Sequence, residues 1–171
     1  DLAAAAREGQ EVVGPAVVLT IDDADVSVYE LAYPLLQRYG YRAHLFVPTA
    51  QVGRRWSGLE VCSWSQLREM QASGTILLES HAHDLHWKIQ TPRGWEPVFW
   101  HPDRLAAERN DADSILVPSK ALIRDLVAGS DPFHLAAVLT GHYSEVAGDL
   151  MTSRQVLLAS AGRNAQYLAW P

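Results

Sequence analysis

Residues 17–23, Val17-Val18-Leu19-Thr20-Ile21-Asp22-Asp23, decide the fold, because an apolar run there breaks off in two carboxylates. Runs of this length bounded by polar residues read as buried strands, and polar side chains at the strand ends of a parallel sheet are where α/β enzymes carry their chemistry. Working outward, an amphipathic stretch from Val26 to Tyr39 follows, Gly40 stops it, and Ala43-His44-Leu45-Phe46-Val47 returns as a second strand. The pattern is a βαβ unit. Pro34 is expected to kink its helix or shift the start, since proline has no N–H for the preceding turn.

A second unit repeats the theme. Ser63-Trp64-Ser65-Gln66 has the spacing of a capping box and predicts a helix from Trp64 to Ala72 that closes at Ser73-Gly74. Thr75 to Glu79 is the next strand, and it runs into a second polar cluster, His81-Ala82-His83-Asp84-Leu85-His86. From Trp87 to Asp103, Pro92, Gly94, Pro97, Pro102 and three tryptophans predict a long irregular loop. Helices are expected around Ser119 to Ala128 and Ser144 to Ala161, then a short strand at Gln166 to Trp170. Leu2 to Ala6 has a weak helical bias, and no internal repeat is evident. Strands alternating with helices indicate a parallel sheet with crossover helices. Four clear strands are too few for a closed barrel, so an open sheet or an incomplete barrel is expected.

With 48% hydrophobic residues in 171, the chain can bury one sizeable core, and residues 1–171 are read as one domain. A formal charge of −6 and the lack of any Lys/Arg-rich stretch argue against a nucleic-acid backbone or an anionic membrane as main partner. Cys62 is the single cysteine, which rules out an intrachain disulfide and a cysteine-built zinc site. No apolar stretch nears the roughly 20 residues that span a bilayer. Asp1-Leu2-Ala3-Ala4 lacks the basic start and apolar core of a signal peptide, so an exported form would have lost its leader. The six tryptophans suit stacking on sugar rings as well as core packing.

His81 and His86 can point at one ion, with a carboxylate from a neighbouring strand end as third ligand. Three protein ligands plus water is the open pattern of catalytic zinc, which lowers the pKa of its water to about 7. Asp22 and Asp23 can divide the roles of ligand and proton acceptor, because successive side chains near a strand end face different ways. Asp-Asp alone would read as a solvated turn or helix cap, and a lone histidine as an ordinary packed residue. Three histidines in six residues after one strand, with Asp-Asp after another, reverse that weighting.

These residues also carry a family resemblance. LTIDDADVSVYELAYPLLQRYGYRAHLFV at 19–47, SWSQLREMQASGTILLESHAHDLHW at 63–87 and QYLAWP at 166–171 resemble, in order, motifs of the polysaccharide deacetylase family (NodB-like, carbohydrate esterase family 4). The likeness is greatest to its poly-β-1,6-N-acetylglucosamine deacetylase branch, whose five-residue histidine spacing matches His81 and His86. The resemblance implies an α/β fold, a parallel-stranded incomplete or distorted (β/α) barrel of the polysaccharide deacetylase type. It implies one bound divalent ion, zinc foremost with nickel, cobalt or iron as alternatives, and removal of N-acetyl groups from an N-acetylglucosamine polysaccharide. Asp22 is then the general base, and Asp23, His81 and His86 are the metal ligands. Trp87 and Trp170 become candidate sugar contacts, with Trp95 and Trp100 as possible members of a stacking wall, and His83 and Asp84 become candidates for orienting the ligands. Export to the periplasm or cell surface is implied by the family alone.

Two departures from the family pattern stand out. Ala24 occupies the usual glycine position, where backbone angles that alanine resists are expected. After Trp170-Pro171, related sequences continue with Tyr-Gly and further strands of the barrel, and the later motif that carries a histidine acid in many members has no counterpart here. The expectation is a single deacetylase-like domain without the C-terminal part of the barrel. Residues 111–142 read as an insertion or divergence.

Other readings of the same residues compete. Asp23-Ala24-Asp25-Val26 fits a haloacid-dehalogenase-like phosphatase with Asp23 as nucleophile, but leaves the histidines without a role. His81-Ala82-His83 resembles the metal pair of amidohydrolase barrels, and His101-Pro102-Asp103 with His142 could mimic an iron(II) oxygenase site. A catalytically weak carbohydrate-binding domain is the non-enzymatic reading.

Overall fold

The computed structural model describes residue 14 and residues 16–86, 88–91, 94–97 and 132–170, with the backbone alone for 88–91, 94–97 and 132–145. The helix expected at Ser119 to Ala128, the bias at Leu2 to Ala6, and Trp87, Trp100 and His101-Pro102-Asp103 lie outside the described residues.

Three parallel strands form the central sheet: β1 (Leu19–Ile21), β2 (Ala43–Val47) and, from the second unit, β5 (Ile76–Ser80). Their spatial order β1-β2-β5 follows the chain, as in a barrel wound in one direction rather than a sheet that reverses at a switch point. Partners in register share a face, so Ala43 with Ile76 and Leu45 with Leu78 lie on one side, and Phe46 with Glu79 on the other. The first set belongs to the buried core with Val28, Tyr33, Leu67 and Met70.

The first crossover is helical from Val26, widens into a π-helical turn at Val28–Ala32, in which the Tyr33 N–H donates to the Val28 carbonyl, and continues as α1 (Tyr33–Tyr39). Pro34 sits in the first turn of α1, and the helix starts at Val26 as expected, so the departure near the proline is the wide turn that precedes the ring that cannot donate, not a shifted start. Gly40, at φ 70°, ends α1 while Tyr41 N–H reaches back to the Leu36 carbonyl at 2.9 Å, a Schellman closure.

The second crossover is α2 (Trp64–Ala72), with the capping box read from its sequence. Ser63 Oγ accepts from the Gln66 amide at 3.4 Å and Gln66 Oε1 accepts from the Ser63 amide at 2.8 Å. Leu67 and Met70, three apart on one face, are fully buried, and Gln71 Oε1 accepts from the Leu78 amide at 2.9 Å, tying the helix to its strand.

The structure departs from the sequence reading at four places. Between the units a small hairpin, β3 (Arg55–Trp56) and β4 (Leu59–Glu60), turns through Ser57 and Gly58 at φ 51° and 83°. Positive φ at both central residues is what a tight two-residue hairpin requires. Where an irregular loop was expected from Trp87, the backbone of β6 (Lys88–Thr91) pairs antiparallel with that of β7 (Gly94–Pro97). The strand expected at Gln166 to Trp170 is reduced to a single parallel bridge between Leu168 and Ser80. The helix expected from Ser144 is longer, α3 (Pro132–Ala161), and packs on β5 and α2. Among the described residues no helix is long and apolar enough to cross a membrane.

Candidate metal centre

At the carboxyl end of β1 the chain turns within two residues. The Ala24 N–H donates to the Asp22 carbonyl at 2.9 Å with Asp23 at φ 68°, a γ-turn of the strained hand, and Ala24 follows at φ 54°. The angle that glycine would take freely is therefore held by alanine. Neighbours over-determine it: Ala24 is fully buried, its carbonyl accepts from the Cys62 amide at 2.9 Å, and Asp25 bridges to Val61. Asp25 accepts from the amides of Ser27 at 3.0 Å and Glu60 at 3.2 Å, and hydrogen bonding from Ser27 holds its carboxyl below the usual range. Burial pushes the Cys62 thiol beneath this turn up to about 11, so it is a packing residue rather than a nucleophile.

The second cluster leaves β5 along the sheet. His81 N–H donates to the Val47 carbonyl at 3.1 Å, extending the β2–β5 ladder by one rung, and Ala82 then takes φ 61°. This reversal and the γ-turn bring the two clusters together. Asp23 Oδ1 lies 3.5 Å from His81 Nε2 and 3.9 Å from His86 Nε2, and the two imidazole centroids are 4.5 Å apart. Asp22, the residue before Asp23, is exposed.

Three further groups fix the rings. His81 Nδ1 is 3.0 Å from the Ala169 carbonyl oxygen. A carbonyl only accepts, so in the neutral ring Nδ1 carries the proton and Nε2 turns its lone pair toward Asp23. Trp56 packs edge-on against His86 at 5.0 Å between centroids. Ala169 N–H donates to the Ser80 carbonyl at 3.0 Å, and the segment before it is tied to the fully buried Glu79, which accepts from Arg163 and from the amides of Gln166 at 2.8 Å and Tyr167 at 3.0 Å. Sequence reasoning missed Trp56 and Glu79. The Ser57-Gly58 pair flanked by Trp56 and Leu59 was the available signal for the hairpin, whereas nothing local announces the role of Glu79.

The donor set fits a divalent ion. Ligand atoms of Asp23, His81 and His86 all lie within 4.8 Å of one another, and tetrahedral ligands about 2.1 Å from zinc would be about 3.4 Å apart. One carboxylate and two imidazoles suit zinc and its first-row neighbours. His83 turns away: its Nδ1 lies 2.9 Å from Thr49 Oγ1, so the His81-Ala82-His83 pair of the amidohydrolase reading is not formed. Asp84 accepts from Gln51 Nε2 at 3.1 Å. Both brace the loop instead of touching the imidazoles. The histidines left unused by the phosphatase reading stand against Asp23. Trp170 is half exposed directly after Ala169, while Trp87 lies outside the described residues.

A parallel-stranded, incomplete (β/α) barrel with a carboxylate and two histidines gathered at the carboxyl ends of its strands defines the class. The chain belongs to the polysaccharide deacetylase family, whose model matches residues 9–171. Over 71 residues, 41% of the chain, it is 39% identical to a poly-beta-1,6-N-acetyl-D-glucosamine N-deacetylase of Staphylococcus aureus strain N315. The corresponding Staphylococcus epidermidis protein is 38% identical over 71 residues. The chain spans about a quarter of the length of these curated relatives, 24% and 25%. Among solved structures it is similar to IcaB from Ammonifex degensii, with a TM-score of 0.65 and 28% identity over 94% of this chain and 52% of that one. The BpsB deacetylase domain from Bordetella bronchiseptica shares the fold, with a TM-score of 0.65 and 24% identity over 98% and 60% of the two chains.

Proposed function

We propose that this chain carries the centre of a metal-dependent polysaccharide N-deacetylase acting on a poly-β-1,6-N-acetylglucosamine-like polymer. The observation that carries the reading is the convergence of Asp23, His81 and His86, with His81 presented through Nε2 by its bond to the Ala169 carbonyl. The names of the relatives supply the polymer class. Asp23, His81 and His86 would hold the ion, zinc first, which when bound supplies Lewis acidity toward water and an amide carbonyl.

This chain's own residues do the rest. Asp22, exposed and adjacent in sequence to the proposed carboxylate ligand, would accept a proton from an attacking water, the task of a general base. His81, buried, and His86, partly buried, would exclude bulk water from one side of the reacting amide. Trp170, half exposed, offers a face for a sugar ring. The products are acetate and a free amine on the sugar, and a site for such a polymer implies work at the cell surface or in the periplasm.

Metal analysis of chelator-free protein, followed by acetate release from β-1,6-linked and chitin-type oligomers, tests this. One divalent ion per chain and acetate from the β-1,6 series are expected, with both lost in His81→Ala. A wild type that neither contains nor takes up zinc, nickel or cobalt would sink it, and metal uptake without acetate release would leave the carbohydrate-binding reading in its place.

A further inference from the structure

The loop that carries both histidines is held from outside the site by one buried carboxylate. Asp149, on α3, is 7% exposed and divides its oxygens between two consecutive amides: Oδ1 accepts from His83 N–H at 2.6 Å and Oδ2 from Asp84 N–H at 2.7 Å. Short bonds from N–H groups to both oxygens of a carboxylate are charge-assisted and fix direction as well as distance. One helical turn on, the fully buried Ser153 shares a hydrogen bond with Ser80 at 2.8 Å, and Ser80 Oγ accepts from the Ala82 amide at 3.3 Å. A further turn on, Leu157 anchors the same face in the core. Asp149 and Ser153 lie on one stripe of the helix, and between them they grip the chain from residue 80 to residue 84, where Ala82 is held at φ 61°.

The grip falls between the two histidines. His81 precedes the held segment, His86 follows it, and Leu85 is fully buried, so the orientation of the amides at 83 and 84 sets where the chain re-enters the site. We propose that Asp149 is a positioning residue for the metal centre: it fixes the reversal between His81 and His86 so that both imidazoles face Asp23 before any ion arrives. The inference rests on the metal reading above and adds a residue that the motifs do not contain. Residues that orient ligands from behind typically change metal affinity by about 10- to 100-fold when replaced.

Asp149→Asn tests it, because the asparagine side chain offers one acceptor oxygen and turns an NH2 group toward the second amide. Cobalt(II) titration of the full chain, followed by visible absorbance, should show affinity at least about tenfold weaker than wild type and an altered ligand-field band. In metal-free protein, amide exchange at His83 and Asp84 should quicken while that of Leu67 and Met70 in α2 does not. Leu157→Ala on the same helix controls for general loosening and should keep affinity and amide protection at a temperature where it is folded. Wild-type affinity and spectrum in Asp149→Asn, unchanged exchange at residues 83 and 84, or equal loss in Leu157→Ala would each overturn the proposal. Failure of the wild type to bind any metal would overturn the underlying metal reading, a result separable from those because it appears before any substitution is made.

Discussion

Asp23 and Ala24 both hold left-handed backbone, an arrangement that costs a residue with a Cβ about 1–2 kcal/mol. Replacing Ala24 by glycine relieves that cost. It also removes a fully buried methyl worth about 0.8 kcal/mol and adds about 0.5–1 kcal/mol of chain entropy to lose on folding. The terms nearly cancel, so Ala24→Gly should leave unfolding free energy within about 1 kcal/mol of wild type. Ala24→Val adds β-branching at positive φ in a filled site and should cost more than about 2 kcal/mol. Denaturant melts of the three proteins decide the matter, and a gain above about 2 kcal/mol for the glycine variant would mean that the turn is not over-determined. At this scale Asp23, His81 and His86 were legible because each follows an apolar run that ends abruptly. The groups that orient them were not, since one is the backbone carbonyl of Ala169 and another, Glu79, sits inside a strand that reads as apolar.

Among the elements, α3 carries the group whose titration bears on stability. Burial pushes the Asp149 carboxyl above its usual range, outweighing the two amide bonds that pull it down. A carboxyl that binds its proton more tightly when folded contributes stability present below the unfolded value of 3.8 and lost as pH rises through the folded value. The advantage of wild type over Asp149→Asn in denaturant melts should therefore be largest near pH 4 and shrink toward pH 7. A difference independent of pH would show that the group titrates alike in both states. Local signals served well where the physics is local: the capping box of α2 and the Gly40 stop of α1 lie within a few residues of what they determine. The β6–β7 pairing was hidden because proline, glycine and tryptophan are as common in loops as in tight turns. At the other end, Gln166 to Trp170 has a strand-like pattern yet forms one bridge, because buried Glu79 takes two of its amides out of any ladder.

For the molecule as a whole, the sheet order β1-β2-β5 brings two strand ends together, so binding of the proposed ion would be coupled to folding. An ion at 100 times its dissociation constant stabilises the folded state by about 2.7 kcal/mol. For a domain of this size that is a rise in Tm of about 5–11 °C. Scanning calorimetry with zinc and then with chelator should show the shift appear and reverse, and His81→Ala should abolish it. An equal rise in His81→Ala would place the ion elsewhere. The chain-order sheet was legible from alternating strands and helices, and the spatial meeting of Asp23 with His81 followed from both lying at carboxyl ends. The contribution of α3 was not, because helical periodicity says which face is buried but not which loop it is buried against.

The bond from His81 Nδ1 to the Ala169 carbonyl joins residues 88 apart in sequence, and this has a consequence in time. Synthesis at about 5–20 residues per second delivers Ala169 about 4 to 18 seconds after His81. Throughout that interval the imidazole is free to carry its proton on either nitrogen and to take an ion through either. Residues 166–170 therefore do more than bridge to β5: on the proposed metal reading, the choice of ligating nitrogen at His81 is settled only when Ala169 docks.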